Sequence, residues 1–142
     1  MGRSLAINRV MTMQILQPSE WAKPRGYSNG VVTAGRQVFV AGQVGWDAQC
    51  RFVSPTFAGQ TAQALRNIVA ILAEAGARPE HITRMTWYLT SKIEYLAAAK
   101  EIGAAYREII GRHYPVMTAV QVVALMEDEA KVEIEVTAVV PA

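Results

Sequence analysis

The chain has 142 residues, a single-domain length that can bury most of the apolar surface its unfolded form exposes. Apolar residues make up 51% of it, charged residues 18%, and the net charge is only +2. Charge therefore gives no reason to expect nucleic acid, and no apolar run reaches the roughly 18 residues of a membrane span. Cys50 is alone, which excludes an intrachain disulfide and fits a cytoplasmic location. A surface this poor in charge is expected to be partly covered by another subunit.

Residues 1–13 are expected to form a flexible leader before one domain over 14–142, with Met11 and Met13 as alternative starts. The first ten residues are too polar for a signal peptide. Residues 14–30 read as irregular, with a turn at Gln17-Pro18-Ser19-Glu20-Trp21 and many structure breakers from Lys23 to Gly30. Val31-Val32-Thr33 and Gln37 to Ala41 read as a hairpin turned by Ala34-Gly35-Arg36. Gly42 and Gly45 then mark a bulge or a close approach to the backbone.

The first helix is expected to open at Ser54-Pro55, to bury Leu65, Ile68, Val69 and Leu72, and to end at Gly76. A β-branched and aromatic strand follows over 82–90. A second helix starts at Ser91, with Glu94 completing a capping box. Leu96, Ala99, Gly103, Tyr106 and Ile110 share one face of it, and Gly111 ends it. Strands over 116–125 and 131–140 close the chain, joined by the acidic loop Met126-Glu127-Asp128-Glu129. Pro115 cannot donate to a sheet ladder and so opens its strand at an edge. Val116, Thr118 and Val120 point one way and Met117, Ala119 and Gln121 the other; Val132, Ile134, Val136 and Ala138 oppose Glu133, Glu135 and Thr137. The fold class is α+β, a mixed β-sheet with two helices on one face.

Few residues offer chemistry. His81 and His113 lack companion ligands, so neither a metal nor a cofactor is expected, and His113 reads as a solvated helix end. Cys50 has no neighbouring base. Phosphate-loop and dinucleotide motifs are missing. Arg66 and Asn67 read as exposed, and Tyr106 as core. Glu133 and Glu135 are unusual, two carboxylates on one face of a Val- and Ile-rich strand. Either that face is solvated with Lys131 as counter-charge, or one carboxylate lies in a cleft and holds a water or a substrate nitrogen.

Several segments together resemble the RidA/YjgF family of enamine/imine deaminases, formerly labelled endoribonuclease L-PSP. They are Gly26-Tyr27-Ser28, Val38 to Gln43, Gln60 to Ile68, Thr86-Trp87-Tyr88-Leu89, Tyr114-Pro115 and Val132 to Val136. The resemblance implies a chorismate-mutase-like α+β subunit. It implies a homotrimer with sheets as an inner barrel, helices outside and a cleft at each subunit interface.

Carried over by position, Glu135 would place the hydrolytic water and Tyr27 would act beside it. Gly42, Met117, Thr118, Ala119 and Trp87 would contact a small-molecule substrate. Met117 stands where deaminating members carry an arginine for the substrate carboxylate, Ala41 where they carry serine, and Gly103 where asparagine is frequent. Methionine offers flexible apolar contact in place of two charge-assisted bonds. The cleft is therefore expected to favour a less charged or more apolar enamine- or imine-type metabolite; the sequence leaves open whether Arg112, Lys131 or an arginine of a neighbouring subunit replaces the missing cation. The alternatives are a non-catalytic ligand-binding or regulatory protein, then an endoribonuclease or translation inhibitor, then a holdase chaperone.

Overall fold

The computed structural model describes residues 13–142, so the expected leader lies outside the described residues except for Met13. The chain forms strand β1 (Gln14–Leu16), β2 (Gly30–Val32) and β3 (Arg36–Gln43), then helix α1 (Phe57–Glu74). Strand β4 (Ile82–Leu89) follows a 3-10 turn at Pro79–His81. Helices α2 (Lys92–Ala97) and α3 (Ala99–Ile109) lead to β5 (Val116–Gln121) and β6 (Val132–Val140). The larger sheet has the order β3-β6-β4-β5, antiparallel except for the parallel β4–β5 pair. The architecture is α+β with the helices on one sheet face, as the sequence predicts.

Alternation within the strands decides which residues are sealed. Val132, Ile134, Val136 and Ala138 of β6 are buried, as are Met85, Trp87 and Leu89 of β4. They meet Leu65, Ile68 and Leu72 of α1 and Ile102 and Tyr106 of α3 in one core. The last two strands are not neighbours, because β4 lies between them. Their side-chain directions nevertheless follow the sequence pattern: Thr118 is in register with Thr86, and Met117 with the buried Met85.

Three local expectations fail for physical reasons. The hairpin does not form: β2 pairs with β1, inside the stretch expected to be irregular, while β3 pairs with β6. Gly35 lies against the end of β6, where a Cβ would come within 2.1 Å of the Val140 carbonyl oxygen. The residue marks a crossing close to the end of β6 instead of a reversal. The cap of α1 is Thr56, whose hydroxyl accepts from Gly59 N at 3.1 Å, and Ser54 supports Thr56 through a 2.9 Å hydroxyl contact. Gly76, at φ 67°, sits just past the helix end as expected.

The second helix is broken at Ala98 into α2 and α3. Ser91 does accept from Glu94 N at 3.1 Å, but the Glu94 carboxylate turns to Lys131 at 2.8 Å and leaves the box half made. Gly42 falls where the β3–β6 register shifts, so the expected bulge is present. Gly45 serves close approach: a Cβ there would lie 2.6 Å from Gln60 Cα.

Candidate functional site

A groove of about 610 Å³ opens between α2–α3 and the β4–β5 side of the sheet. Trp87 and Met117 line it from the strands, and Leu96, Ala99, Gly103 and Tyr106 from the helices. The face of the second helix read from the sequence is thus split. Tyr106 and Ile110 are core, whereas Leu96 and Ala99 are exposed along the groove. Tyr106 and Tyr114 stack with ring centroids 5.7 Å apart and planes 9° from parallel. Burial pushes the Tyr106 phenol well above its usual range, so it stays a donor, to the His113 carbonyl at 2.6 Å. Trp87 is 1% exposed, and its indole N–H has no acceptor among the described residues.

Tyr27 lies in a neighbouring depression of about 500 Å³, lined also by Arg112 and His113. The chain is held there by Ser28, whose amide donates to the Pro115 carbonyl at 3.0 Å and whose hydroxyl donates to the Tyr114 carbonyl. Gly26 and Tyr114 line both cavities, so the two share a wall. His113 is not a solvated helix end: its Nε2–H donates to the Ile82 carbonyl at 2.7 Å.

The opposite sheet face carries Glu133, Glu135, Arg84, Thr86, Tyr88 and Thr118. Tyr88 Oη donates to Glu135 Oε1 at 2.7 Å. That bond raises the Tyr88 pKa above its usual 10.0, with desolvation and the Glu135 and Glu133 charges adding to it. One carboxylate oxygen of Glu135 is thereby anchored, and lone pairs remain for a water or a substrate N–H. Arg84 and Phe39 line the same shallow depression of about 400 Å³. Gly42 lies against Glu133, since a Cβ on it would come within 2.8 Å of the Glu133 carboxyl carbon.

Within one subunit the residues predicted for the site therefore do not converge. Met117, Ala119 and Trp87 share the helix side of the sheet, Glu135 and Thr118 point from the open side, Gly42 sits at the bulge, and Tyr27 has its own depression. Lys131 does not neutralise Glu133 or Glu135, because it pairs with Glu94. It is thus no substitute cation for the groove. Arg112 lines the Tyr27 depression, whereas Arg25 and Arg107 line the groove beside Met117.

Sequence reasoning missed Arg84, Arg107 and the contact between Glu133 and Gly42. Each depends on a register or a helix rotation that spacing alone leaves open. Asn67 was misread as exposed. Its amide donates to the Val44 and Trp46 carbonyls at 3.2 and 2.9 Å, which pins the loop after β3. Gln60, buried, donates to the Ser54 and Glu129 carbonyls and accepts from Lys131 N.

The fold and its two unlike sheet faces define an α+β subunit with one face sealed by helices and one left open. A family profile described as Endoribonuclease L-PSP matches residues 19–140. A RutC family protein of Synechocystis is 31% identical over 92% of this chain and 99% of its own length. A Rid family protein of unknown function, YyfB from Yersinia pestis, superposes with a TM-score of 0.79 at 32% identity, covering 92% of this chain and 100% of its own. RidA from an Antarctic Psychrobacter gives 0.64 at 28% identity, covering 84% and 92%. The chain belongs to the Endoribonuclease L-PSP family, the RidA/YjgF group. Among the described residues no helix is long and apolar enough to cross a membrane.

Proposed function

We propose that the chain forms a homotrimer whose subunit-interface clefts take a small enamine- or imine-type metabolite and hydrolyse it to a carbonyl compound and ammonia. The observation that carries this reading is the open-face carboxylate pair. Glu135 is held by Tyr88, Glu133 stands over Gly42, and neither is neutralised by a salt bridge among the described residues. The placement of Met117 and Glu135 on opposite sides of one sheet supports a site completed by a second subunit, which would bring the groove of one copy to the open face of another.

The chemistry asks little of the protein. An imine carbon is already electrophilic, so a carboxylate needs only to orient water and take its proton as the C–O bond forms. Returned to nitrogen, that proton gives the neutral carbinolamine; the carboxylate then passes the hydroxyl proton to nitrogen as the C–N bond breaks, leaving a C=O group and ammonia. Tyr27 would act at the rim, and Gly42, Thr118, Ala119 and Trp87 would shape the walls.

A second reading, a ligand-binding or regulatory member without turnover, is favoured by one observation. Met117, Ala41 and Gly103 together replace three polar groups that the resemblance ascribes to deaminating members. RNA cleavage has less support, because the open face carries two carboxylates and the net charge is only +2.

The deciding experiment measures ammonia released from freshly generated imines and enamines, apolar and acidic, by wild type, Met117→Arg, Glu135→Gln and Glu133→Gln. Hydrolysis predicts turnover of at least one of these imines that one of the two glutamine variants abolishes. It also predicts that Met117→Arg gains activity on 2-imino acids. Turnover indifferent to both glutamates would sink the mechanism. Saturable binding with no turnover in any protein would establish the second reading.

A further inference from the structure

We propose that Arg107 of α3, with Arg25, supplies from the helix side the cation that Met117 does not supply from the strand. The groove would then take a small carboxylate on an aromatic or branched apolar body. This rests on reading the groove as the ligand site, and deepens that reading by naming the ligand class.

The charges in the groove are all of one sign. Arg25 and Arg107 line it, and no aspartate or glutamate does. Among the described residues the ion pairs are Arg51–Asp47, Arg78–Glu80 and Lys131–Glu94, so neither groove guanidinium has a carboxylate partner. A guanidinium donates only, and an anion is the complement of the pair.

Gly103 gives the arrangement a purpose. A glycine inside a helix costs about 1 kcal/mol relative to alanine. A Cβ on Gly103 would meet only the Arg107 guanidinium, at 3.2 Å from Nη1. Helical side chains lean toward the N-terminus, so Arg107 lies back over the residue four positions earlier, and the missing Cβ is its seat. Glycine at the position where the resemblance implies a frequent asparagine thus leaves room for the Arg107 guanidinium.

The body of the ligand follows from the walls. Tyr106 and Tyr114 present flat stacked rings, and Trp87, Ile102, Leu96 and Met117 are apolar. The volume of about 610 Å³ exceeds what a short aliphatic acid would fill. A planar guanidinium matches a planar carboxylate through paired bonds.

Isothermal titration calorimetry with phenylacetate, its neutral counterpart 2-phenylethanol, and phenyl phosphate tests this on wild type, Arg107→Met, Gly103→Leu and Arg66→Met. Phenylacetate should bind wild type and Arg66→Met alike, and at least about tenfold more weakly to Arg107→Met. Gly103→Leu keeps the arginine but fills its seat, and should weaken binding in the same direction. The neutral alcohol should bind about tenfold more weakly than the acid. Circular dichroism of each variant confirms that the fold is kept.

Absence of phenylacetate binding to wild type, equal binding by Arg107→Met, or equal binding of the alcohol overturns the proposal. Tighter binding of phenyl phosphate overturns the carboxylate assignment. Ammonia is not the readout. A protein that deaminates imines but binds phenylacetate independently of Arg107 sinks this proposal alone. Arg107-dependent binding without turnover leaves it standing and removes only the hydrolysis.

Discussion

The two faces of the four-stranded sheet are made by alternate residues of the same strands, yet they have different compositions and different tasks. On β6 the sealed face reads Val132, Ile134, Val136, Ala138, and the open face Glu133, Glu135, Thr137, Val139. On β4 the sealed Met85, Trp87 and Leu89 alternate with Arg84, Thr86 and Tyr88. The sealed face holds the subunit together by burial, at roughly 25 cal/mol per Å². The open face keeps Phe39 at 72% exposure in the same depression as the Glu135 carboxylate. Burying such a ring in a partner contact is favourable, and in the proposed function the carboxylates of this face supply the chemistry. One strand thus carries the core and the proposed site on alternate residues.

Neighbouring substitutions on β6 separate the two faces most sharply. Ile134→Ala should cost about 2–5 kcal/mol, because it leaves a cavity among α1, β4 and β6. Urea unfolding at matched protein concentration reads that loss. Glu135→Ala, one residue on, should leave the unfolding midpoint little changed and remove ammonia release. Equal destabilisation by both would erase the distinction between the faces.

A smaller effect is expected from Phe39→Lys. It should raise the concentration of half-dissociation of the assembly by at least about tenfold while far-ultraviolet circular dichroism of the subunit stays the same. An unchanged assembly would mean that Phe39 faces solvent in the working protein.

The smallest effect tests the open-face hydrogen bond. Tyr88 titrates above its usual 10.0 because its O–H donates to Glu135. A phenol whose folded pKa is raised contributes its stabilisation fully below that usual value, and loses it as pH rises through the higher folded value. Tyrosinate absorbance should therefore show one fewer late-titrating tyrosine in Tyr88→Phe. Loss of an ordinary tyrosine from the curve would contradict the bond.

Much of this was legible in the sequence, for a definite reason. Period-two burial in β6 and helical spacing in α1 are properties of neighbouring residues, so both faces of β6 and the core stripe of Leu65, Ile68 and Leu72 could be read directly. Partners distant in the chain were not legible. The β1–β2 pairing, the hydrogen bonds of Gln60 and Asn67 as loop clamps, and the Lys131–Glu94 pair each join segments whose approach no local pattern encodes. The candidate site divides the same way. Met117 and Glu135 were identified from a resemblance, but their opposite placement follows from β5, β4 and β6 lying in register. Arg107 was invisible because its role depends on the absent side chain of Gly103.

If the open face is an association surface on which the proposed site is completed, the purified chain is an oligomer. Light scattering should give a particle of three subunits of 15.5 kDa each. A monomer at micromolar concentration, with Phe39, Glu133 and Glu135 left in solvent, would contradict it.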